Sequence, residues 1–211
     1  MRHRRWRKWL WILAAVLVIV YLAGANLLVS AALVPSTMEK LDAFSRITED
    51  SYEALVQTDD IQQQNAKAWD ETREWAEKAH GQKLERTTED GYRLVAQEIF
   101  SEEESHKWVL LLHGYTGWKE AMYPFAAWYN ERGYHVIVPD MRCQGESEGD
   151  FIGMGWTDRL DNMMWIDYIL QQDSKAEIVI HGQSMGAASA LMMTGEAKLP
   201  ENVKAVVSDC A

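Results

Sequence analysis

The sequence predicts an α/β fold in which a mostly parallel sheet carries helices on both faces, preceded by a transmembrane helix and a helical segment. Three observations support this prediction. Strand and helix patterns alternate from residue 108 to residue 209, one serine stands in a glycine-flanked turn between a strand and a helix, and a long uncharged run lies near the N-terminus. Alternation of this kind indicates parallel strands joined by helices.

Charge is distributed unevenly along the chain. The formal net charge is −11, and residues 1–34 hold five basic residues and no acidic one, so this part carries +5 and the remainder −16. The acidic body argues against nucleic-acid binding. Cys143 and Cys210 are far apart, and the histidines form no HxxxH or HExxH pair, so the sequence indicates no disulfide, no metal site and no other cofactor.

An uncharged run of 26 residues extends from Trp9 to Val34. Because a helix crosses a bilayer with about 20 apolar residues, residues 1–34 are predicted to be a cytoplasmic basic segment and a transmembrane anchor. The basic residues before the run then place residues 35 onward outside the cell, by the positive-inside rule. Ala23-Gly24-Ala25 also resembles a signal-peptide cleavage site, so secretion after cleavage is the alternative.

Residues 35–82 are predicted to form two amphipathic helical stretches, the second ending near Gly81. Their apolar stripes are typical of core packing. A stalk or a cap beside an active site is the functional alternative.

Residues 83–211 are predicted to be the N-terminal part of the main folded domain. KLERTT and YRLVAQEIF flank a Glu89-Asp90-Gly91 turn, which is typical of a β-hairpin. Four Val- and Ile-rich runs follow that are typical of buried central strands: WVLLLH at 108–113, YHVIVPD at 134–140, AEIVIHG at 176–182 and VKAVVSD at 203–209. Helical segments are predicted between them near residues 118–132, 156–172 and 185–194.

Gly182-Gln183-Ser184-Met185-Gly186 is a G-x-S-x-G motif between a predicted strand and a predicted helix. A sharp turn at this point exposes the serine hydroxyl, and glycines two residues to either side avoid the steric clash of the turn. Ser184 is therefore the predicted nucleophile. A structural serine in a tight turn is the alternative.

His113-Gly114-Tyr115-Thr116-Gly117 follows the strand WVLLL, where acyl-transfer enzymes of this architecture build part of an oxyanion hole. The backbone amides of Tyr115 and Met185 are predicted to be its donors, supported by His113 and Gly114. We interpret His113 and His181 as orienting groups rather than catalytic bases.

Three motifs in order resemble the alpha/beta-hydrolase superfamily over roughly residues 83–211: His-Gly-x-x-Gly at 113–117, Pro-Asp-x-Arg-x-x-Gly-x-Ser at 139–147, and G-x-S-x-G at 182–186. More narrowly, the chain is similar to bacterial membrane-anchored serine hydrolases of the aminopeptidase and monoglyceride-lipase-like group. Cys143-Gln144 departs from the Gly-His that many such relatives carry, so a reshaped turn is expected there.

The resemblance implies a fold that continues beyond the sixth strand. Residues 1–211 are therefore expected to be truncated after VKAVVSD, with the acid and the histidine of the triad following residue 211. Asp209 is interpreted as a structural aspartate at a strand end, and a sixth-strand triad acid is the alternative. Residues 1–211 alone are expected to hydrolyse activated esters little or not at all.

The predicted function is hydrolysis of ester, thioester or peptide-like amide bonds through a Ser184 acyl-enzyme. A catalytically inactive, membrane-anchored binding or scaffold protein is the alternative, and an adaptor role for residues 1–80 is a third hypothesis. The predicted partners are a small-molecule or peptide substrate and, through residues 9–34, the membrane. The sequence specifies neither the substrate nor the oligomeric state.

Overall fold

The computed structural model describes residues 2–37, 71–72, 74–76, 78–79 and 81–211. Most of the helical segment predicted for residues 35–82 lies outside these ranges. The chain divides into two units, Met1–Leu55 and Val56–Ala211. Helix α1 (Arg2–Leu33) belongs to the first unit, and its residues Trp9–Leu33 are long and apolar enough to cross a membrane.

The predicted hairpin is formed by β1 (Gly81–Thr87) and β2 (Arg93–Ile99), which pair antiparallel. Its turn is closed by two backbone hydrogen bonds: Thr88 N–H donates to the Tyr92 carbonyl (2.9 Å), and Gly91 N–H donates to the Thr88 carbonyl (3.0 Å). Gly91 has a φ of +94°, a conformation that glycine adopts without steric cost. The Asp-Gly sequence therefore sets this turn.

Four strands form the parallel part of the sheet: β3 (Lys107–Leu112), β4 (His135–Pro139), β5 (Glu177–Gln183) and β6 (Val203–Asp209). The order is β1-β2-β4-β3-β5-β6, and β2 joins β4 antiparallel. The carboxyl ends of the four parallel strands therefore meet at one edge. Cys143 follows β4 and Cys210 follows β6, so β3 and β5 separate them, and both thiols are free.

Helices occupy the three connections for which the sequence predicts them. A 3₁₀ helix (Lys119–Met122) leads into α2 (Tyr123–Asn130), which has Pro124 in its first turn, where the missing N–H needs no intrahelical partner. α3 (Asp158–Gln172) and α4 (Met185–Met193) fill the other two connections. The order of elements predicted for residues 83–211 is confirmed.

Strands β3, β4 and β5 are mostly buried on both faces. Val109 and Leu111 of β3 pack against Ala126 of α2 in one hydrophobic cluster, and Trp75 packs against the same cluster. Alternate residues of a strand point to opposite faces, and Leu110, between the first two, is also fully buried. Burial on both sides explains why these strands are continuous apolar runs. The prediction that VKAVVSD is also a buried central strand is wrong, because β6 lies at the edge of the sheet and its residues are exposed or half-buried.

Candidate active site

Ser184 occupies the turn between β5 and α4, at the carboxyl edge of the sheet. Its backbone has φ +51° and ψ −116°, a combination that residues other than glycine rarely adopt. Such strain costs about 1–3 kcal/mol and persists only where the surrounding structure imposes it. The Ser184 side chain is exposed, although Met185, the next residue, is buried.

Gly182 and Gly186 allow this turn because no side chain fits at either position. A Cβ atom on Gly182 would overlap the Gly186 carbonyl, and a Cβ atom on Gly186 would overlap the Leu112 carbonyl at the end of β3. Helix α4 therefore begins directly against the ends of β5 and β3. The spacing of the two glycines follows from this close approach.

Hydrogen bonds fix the backbone on both sides of Ser184. Its N–H donates to the Asp209 carbonyl of β6 (2.7 Å), and its carbonyl accepts a hydrogen bond from Ala188 N–H (3.0 Å). The Asp209 carboxylate accepts a hydrogen bond from Cys210 Sγ (3.2 Å). The contact between Asp209 and the turn is thus a backbone contact, which agrees with its interpretation as a structural residue.

The turn at residues 113–117 lies beside Ser184. A Cβ atom placed on Gly114 would be 3.5 Å from Ser184 Cβ and 4.0 Å from Ser184 Oγ. Gly117 N–H donates to the Gly114 carbonyl (3.0 Å), and Thr116 has a φ of +55° within the turn. Because Gly114 has no side chain, no Cβ atom occupies this position next to Ser184.

The two predicted oxyanion donors are the backbone amides of the residues that directly follow Gly114 and Ser184 in the chain. Tyr115 directly follows Gly114, and Met185 is the first residue of α4, where N–H groups have no intrahelical acceptor. A helix N-terminus also favours negative charge. Gln183, the remaining residue of the motif, is half-buried at the end of β5.

His113 and His181 are both buried, and burial lowers the pKa of each imidazole. His113 Nε2 accepts a hydrogen bond from Met141 N–H (2.9 Å), and Nδ1 lies 2.8 Å from the Gly114 carbonyl oxygen. The His181 ring packs edge-on against Phe125, with 4.7 Å between ring centroids. Both nitrogens of His113 are therefore committed to backbone groups.

The other two imidazoles that the structure describes lie at the amino ends of β3 and β4. His106 Nδ1 is 2.7 Å from the Asp173 carboxylate, and His135 Nδ1 accepts a hydrogen bond from Ser101 N–H (3.1 Å). The amino ends of parallel strands form the edge opposite to Ser184. None of these four imidazoles is hydrogen-bonded to the Ser184 hydroxyl.

A buried ion pair that the sequence analysis did not identify supports the loop after β4. The fully buried Asp140 carboxylate accepts hydrogen bonds from Lys119 N–H (2.7 Å), Lys119 Nζ (2.9 Å) and Glu146 N–H (3.0 Å). Burial disfavours the charge on Lys119, but hydrogen bonds to Glu146 and Asp140 outweigh it and raise the Lys119 pKa. Gly145, with φ +55°, lies where a Cβ atom would overlap this carboxylate. The Asp and Gly of the second motif thus form one packed unit.

Arg142 of the same loop joins three elements. Its Nε and Nη2 donate to the Asp161 carboxylate of α3 at 2.8 Å each, and Nη1 and Nη2 donate to Asp90 of the hairpin turn at 2.5 and 2.9 Å. Planar guanidinium groups suit such two-point pairing. The hydrogen bond from Arg142 lowers the pKa of Asp90 to about 2. Arg142 therefore links the hairpin, the loop after β4 and α3.

Cys143 adopts a φ of +66°, in the left-handed region that favours glycine. The loop thus has a left-handed residue at the position where the resemblance led us to expect glycine, and cysteine occupies it. Cys143 Sγ lies 3.2 Å from the Gly149 carbonyl oxygen, and burial raises the pKa of the thiol. A raised pKa reduces the thiolate fraction and argues against Cys143 as a second nucleophile.

Comparison with known proteins extends these observations. The sequence pattern of the alpha/beta hydrolase fold family matches residues 107–211. The uncharacterized protein YfhR of Escherichia coli O157:H7 is 28% identical over 130 residues, which are 60% of this chain and 45% of that protein. The Pyrococcus furiosus esterase Pf2001 is 30% identical with a TM-score of 0.57, over 63% of this chain and 51% of the esterase.

A more distant structure shares the fold. XC6422 from Xanthomonas campestris, described as an a/b serine hydrolase without lid, is 18% identical with a TM-score of 0.50, over 55% of this chain and 56% of that one. The chain spans 45% and 51% of the lengths of YfhR and Pf2001. Three observations agree: the sheet order, the strained turn at Ser184 and the family match over residues 107–211. The chain therefore belongs to the alpha/beta hydrolase superfamily.

Proposed function

We propose that this chain is the nucleophile-bearing part of a serine hydrolase that cleaves ester, thioester or peptide-like amide bonds. The observation that carries the proposal is the strained, exposed backbone turn at Ser184, which lies next to Gly114. A serine in a merely structural turn has no need of a position that is both strained and exposed. The similarity to Pf2001, which is described as an esterase, supports the same reaction class.

The proposed reaction proceeds through an acyl-enzyme. Ser184 Oγ loses its proton to a base and attacks the carbonyl carbon. The tetrahedral oxyanion then collapses, the bond from the carbonyl carbon to the leaving group breaks, and the protonated base gives its proton to the departing alcohol, thiol or amine. Water hydrolyses the acyl group from Ser184 with the same base, which restores the serine hydroxyl. The amides of Tyr115 and Met185 are the proposed oxyanion donors. Each donor of this kind stabilises the transition state by about 3–4 kcal/mol.

The proposed base is an imidazole outside the described residues. Serine is a weak nucleophile until a neighbouring base removes its proton, and the four described imidazoles have other surroundings. The triad of this architecture runs Ser, acid, His in chain order. The relatives YfhR and Pf2001 are about twice the matched length, which leaves room in them for further residues of this kind.

A catalytically inactive binding protein is the second candidate. The observation that favours it is that no described imidazole contacts Ser184. The two candidates differ in one measurable property, since only the hydrolase requires the Ser184 hydroxyl for turnover.

We also propose that α1 anchors the protein in the cell membrane with residues 35 onward outside the cell. The span Trp9–Leu33 of α1 has 25 residues and a mean hydropathy of 2.6, and basic residues precede it. A reporter that is active only outside the cell, fused after residue 40, is expected to be active. Activity of a cytoplasmic reporter alone at this position contradicts the orientation, and a mature N-terminus near Asn26 in the medium supports signal cleavage instead.

The proposed activity is tested with the full-length protein, meaning residues 1–211 together with the residues that are expected to follow them, purified in detergent. Hydrolysis of p-nitrophenyl butyrate is measured for the wild type, for Ser184→Ala and for Ser208→Ala, the control variant of an exposed serine on the neighbouring strand β6. We expect turnover by the wild type and by Ser208→Ala, and its loss in Ser184→Ala. Equal turnover by all three proteins contradicts the proposed role of Ser184. No turnover by any of them contradicts the proposed activity and favours the binding protein.

A further inference from the structure

A tight turn in the connection between β4 and α3 presents two exposed apolar side chains. Trp156 N–H donates to the Gly153 carbonyl (3.0 Å), which closes the turn, and Gly155 N–H donates to the buried Asp158 carboxylate (2.7 Å). Met154 and Trp156 are 47% and 62% exposed, whereas Gly155 between them is buried. Met154 has a φ of +50°, a strained conformation that persists only where the surrounding structure imposes it. The turn therefore holds both apolar side chains in solvent.

The buried middle of this turn packs against α4, the helix that begins directly after Ser184. A Cβ atom on Gly155 would lie 3.0 Å from Ser189 N and 3.4 Å from the Ala188 carbonyl carbon, so the turn touches α4 at these two residues. Ala188 N–H in turn donates to the Ser184 carbonyl (3.0 Å). About one helical turn, or about 5.4 Å, therefore separates this contact from Ser184. The two exposed side chains flank the contact in the chain, so they lie near the proposed nucleophile.

Arg159 holds the Trp156 ring in one orientation. Its guanidinium carbon lies 3.7 Å from the ring centroid, and its Nη1 donates to the Trp156 carbonyl. Arg159 Nε also donates to the Glu196 carboxylate (2.6 Å), so the charge of the stacked guanidinium is balanced. A ring that is already ordered loses little conformational entropy when a ligand binds to it, and an uncharged aromatic surface favours an apolar ligand.

We infer that Met154 and Trp156 form an apolar platform near Ser184 that binds an aliphatic chain of a carboxylic ester substrate. The inference rests on the proposed function and adds a substrate class to it. A chain as long as an octanoyl group extends from Ser184 past the first turn of α4 to the platform, and an acetyl group is too short to do so. The platform therefore makes the enzyme select long-chain esters over short ones.

Variants of the full-length protein test this inference with p-nitrophenyl acetate and p-nitrophenyl octanoate. We expect Trp156→Ala to lower the ratio of kcat/KM for the octanoate to kcat/KM for the acetate by about 10-fold, because the burial of about two methylene groups is lost. Met154→Ala should lower the same ratio, and it provides the readout if Trp156→Ala does not fold. Partitioning of the octanoate into detergent is equal for all variants and cancels in the comparison.

Trp128→Ala is the matched control. Trp128 is 51% exposed, Arg132 stacks on its ring at 3.9 Å, and Arg132 Nη1 donates to the Trp128 carbonyl (2.7 Å). Its surroundings are thus of the same kind as those of Trp156. However, it lies near the end of α2 that leads to the amino end of β4, at the edge of the sheet opposite to Ser184. Trp128→Ala should keep the wild-type ratio.

A second pair of esters identifies the part of the substrate that carries the chain. Octyl acetate has the chain in its alcohol, whereas p-nitrophenyl octanoate has it in its acyl group. Acid release from octyl acetate and ethyl acetate is measured by titration at constant pH. A fall in the octyl-to-ethyl ratio in Trp156→Ala assigns the platform to the alcohol, and a fall in the octanoate-to-acetate ratio assigns it to the acyl group.

Unchanged ratios in both ester pairs for Trp156→Ala and Met154→Ala overturn the inference, as does an equal fall in Trp128→Ala. A larger loss of melting temperature in Trp156→Ala than in Trp128→Ala, with unchanged ratios, means that other residues of the protein cover the platform, and this result also overturns it. Turnover that persists in Ser184→Ala, or none in the wild type, refutes the proposed function and the inference with it. Ser184-dependent turnover with unchanged ratios refutes the platform alone.

Discussion

Replacing Gly186 with alanine tests the packing that makes the strained turn possible. The added Cβ atom would overlap the Leu112 carbonyl oxygen and lie 2.6 Å from both the Leu112 carbonyl carbon and the His113 carbonyl oxygen. All three are backbone atoms of β3 or of the residue that follows it. They cannot rotate away as a flexible side chain does, so α4 must shift relative to the sheet.

The expected magnitude combines two opposing effects. Forcing one extra methyl group into a packed interior typically costs 1–3 kcal/mol, and the backbone overlap places Gly186→Ala at about 3 kcal/mol. Alanine is favoured over glycine within a helix by about 1 kcal/mol, which offsets part of this cost. The free energy of unfolding should therefore fall by about 2 kcal/mol, and the melting temperature by about 4–8 °C for a chain of this size.

Urea unfolding followed by tryptophan fluorescence measures this change, with Gly195→Ala as the control. Gly195 follows α4, and a Cβ atom there would meet only the Met192 carbonyl oxygen at 3.4 Å. The control should stay within about 0.5 kcal/mol of the wild type, as surface substitutions do. A Gly186→Ala protein as stable as this control would refute the packing argument for the turn.

Further predictions concern the loop after β4. Arg142→Met should lower the free energy of unfolding by about 3–5 kcal/mol in urea titration, because it leaves the buried Asp161 carboxylate unpaired. A decrease of less than about 1 kcal/mol would show that Arg142 and Asp161 do not form a buried ion pair. Cys143→Gly should raise stability by up to about 1 kcal/mol, since glycine adopts φ +66° without strain, and an equal gain in Cys143→Val would contradict that reason. The hydrogen bond from Arg142 lowers the pKa of Asp90 to about 2, and that from Lys119 lowers the pKa of Glu146 to about 2. These two carboxylates therefore stabilise the fold above their ordinary pKa, and this stabilisation is lost as the pH falls from about 4.5 to 2. Urea midpoints at about pH 5 and pH 3 check this, and an Asp90→Asn protein should lose less stability than the wild type over that interval.

The sequence predicts those features that depend on local pattern. Continuous Val and Ile runs mark strands such as β3 because both faces of the strand are buried, and the two glycines around Ser184 mark the turn because α4 approaches β3 and β5 closely. Asp-Gly marks the hairpin for a comparable local reason. Each of these signals lies within a few residues of the structure it determines.

The missed features depend on contacts between residues that are far apart in the chain. Arg142 lies 52 residues from Asp90 and 19 from Asp161, and Lys119 lies 21 residues from Asp140. No periodicity links such partners, since only the strand order brings them together. The left-handed backbone of Cys143 cannot be predicted from the cysteine itself, because cysteine carries no preference for positive φ; only the glycine expected at this position from the resemblance indicates it.

Whether Ser184 is the nucleophile is tested most directly by the site at which a fluorophosphonate probe modifies the full-length protein. Probe attack requires an activated serine beside an oxyanion hole, and peptide mass spectrometry identifies the modified residue. We expect a single adduct on Ser184, which is absent in Ser184→Ala and unchanged in Ser208→Ala. An adduct on another serine, or an unmodified Ser184 in a protein that hydrolyses p-nitrophenyl butyrate, would contradict it.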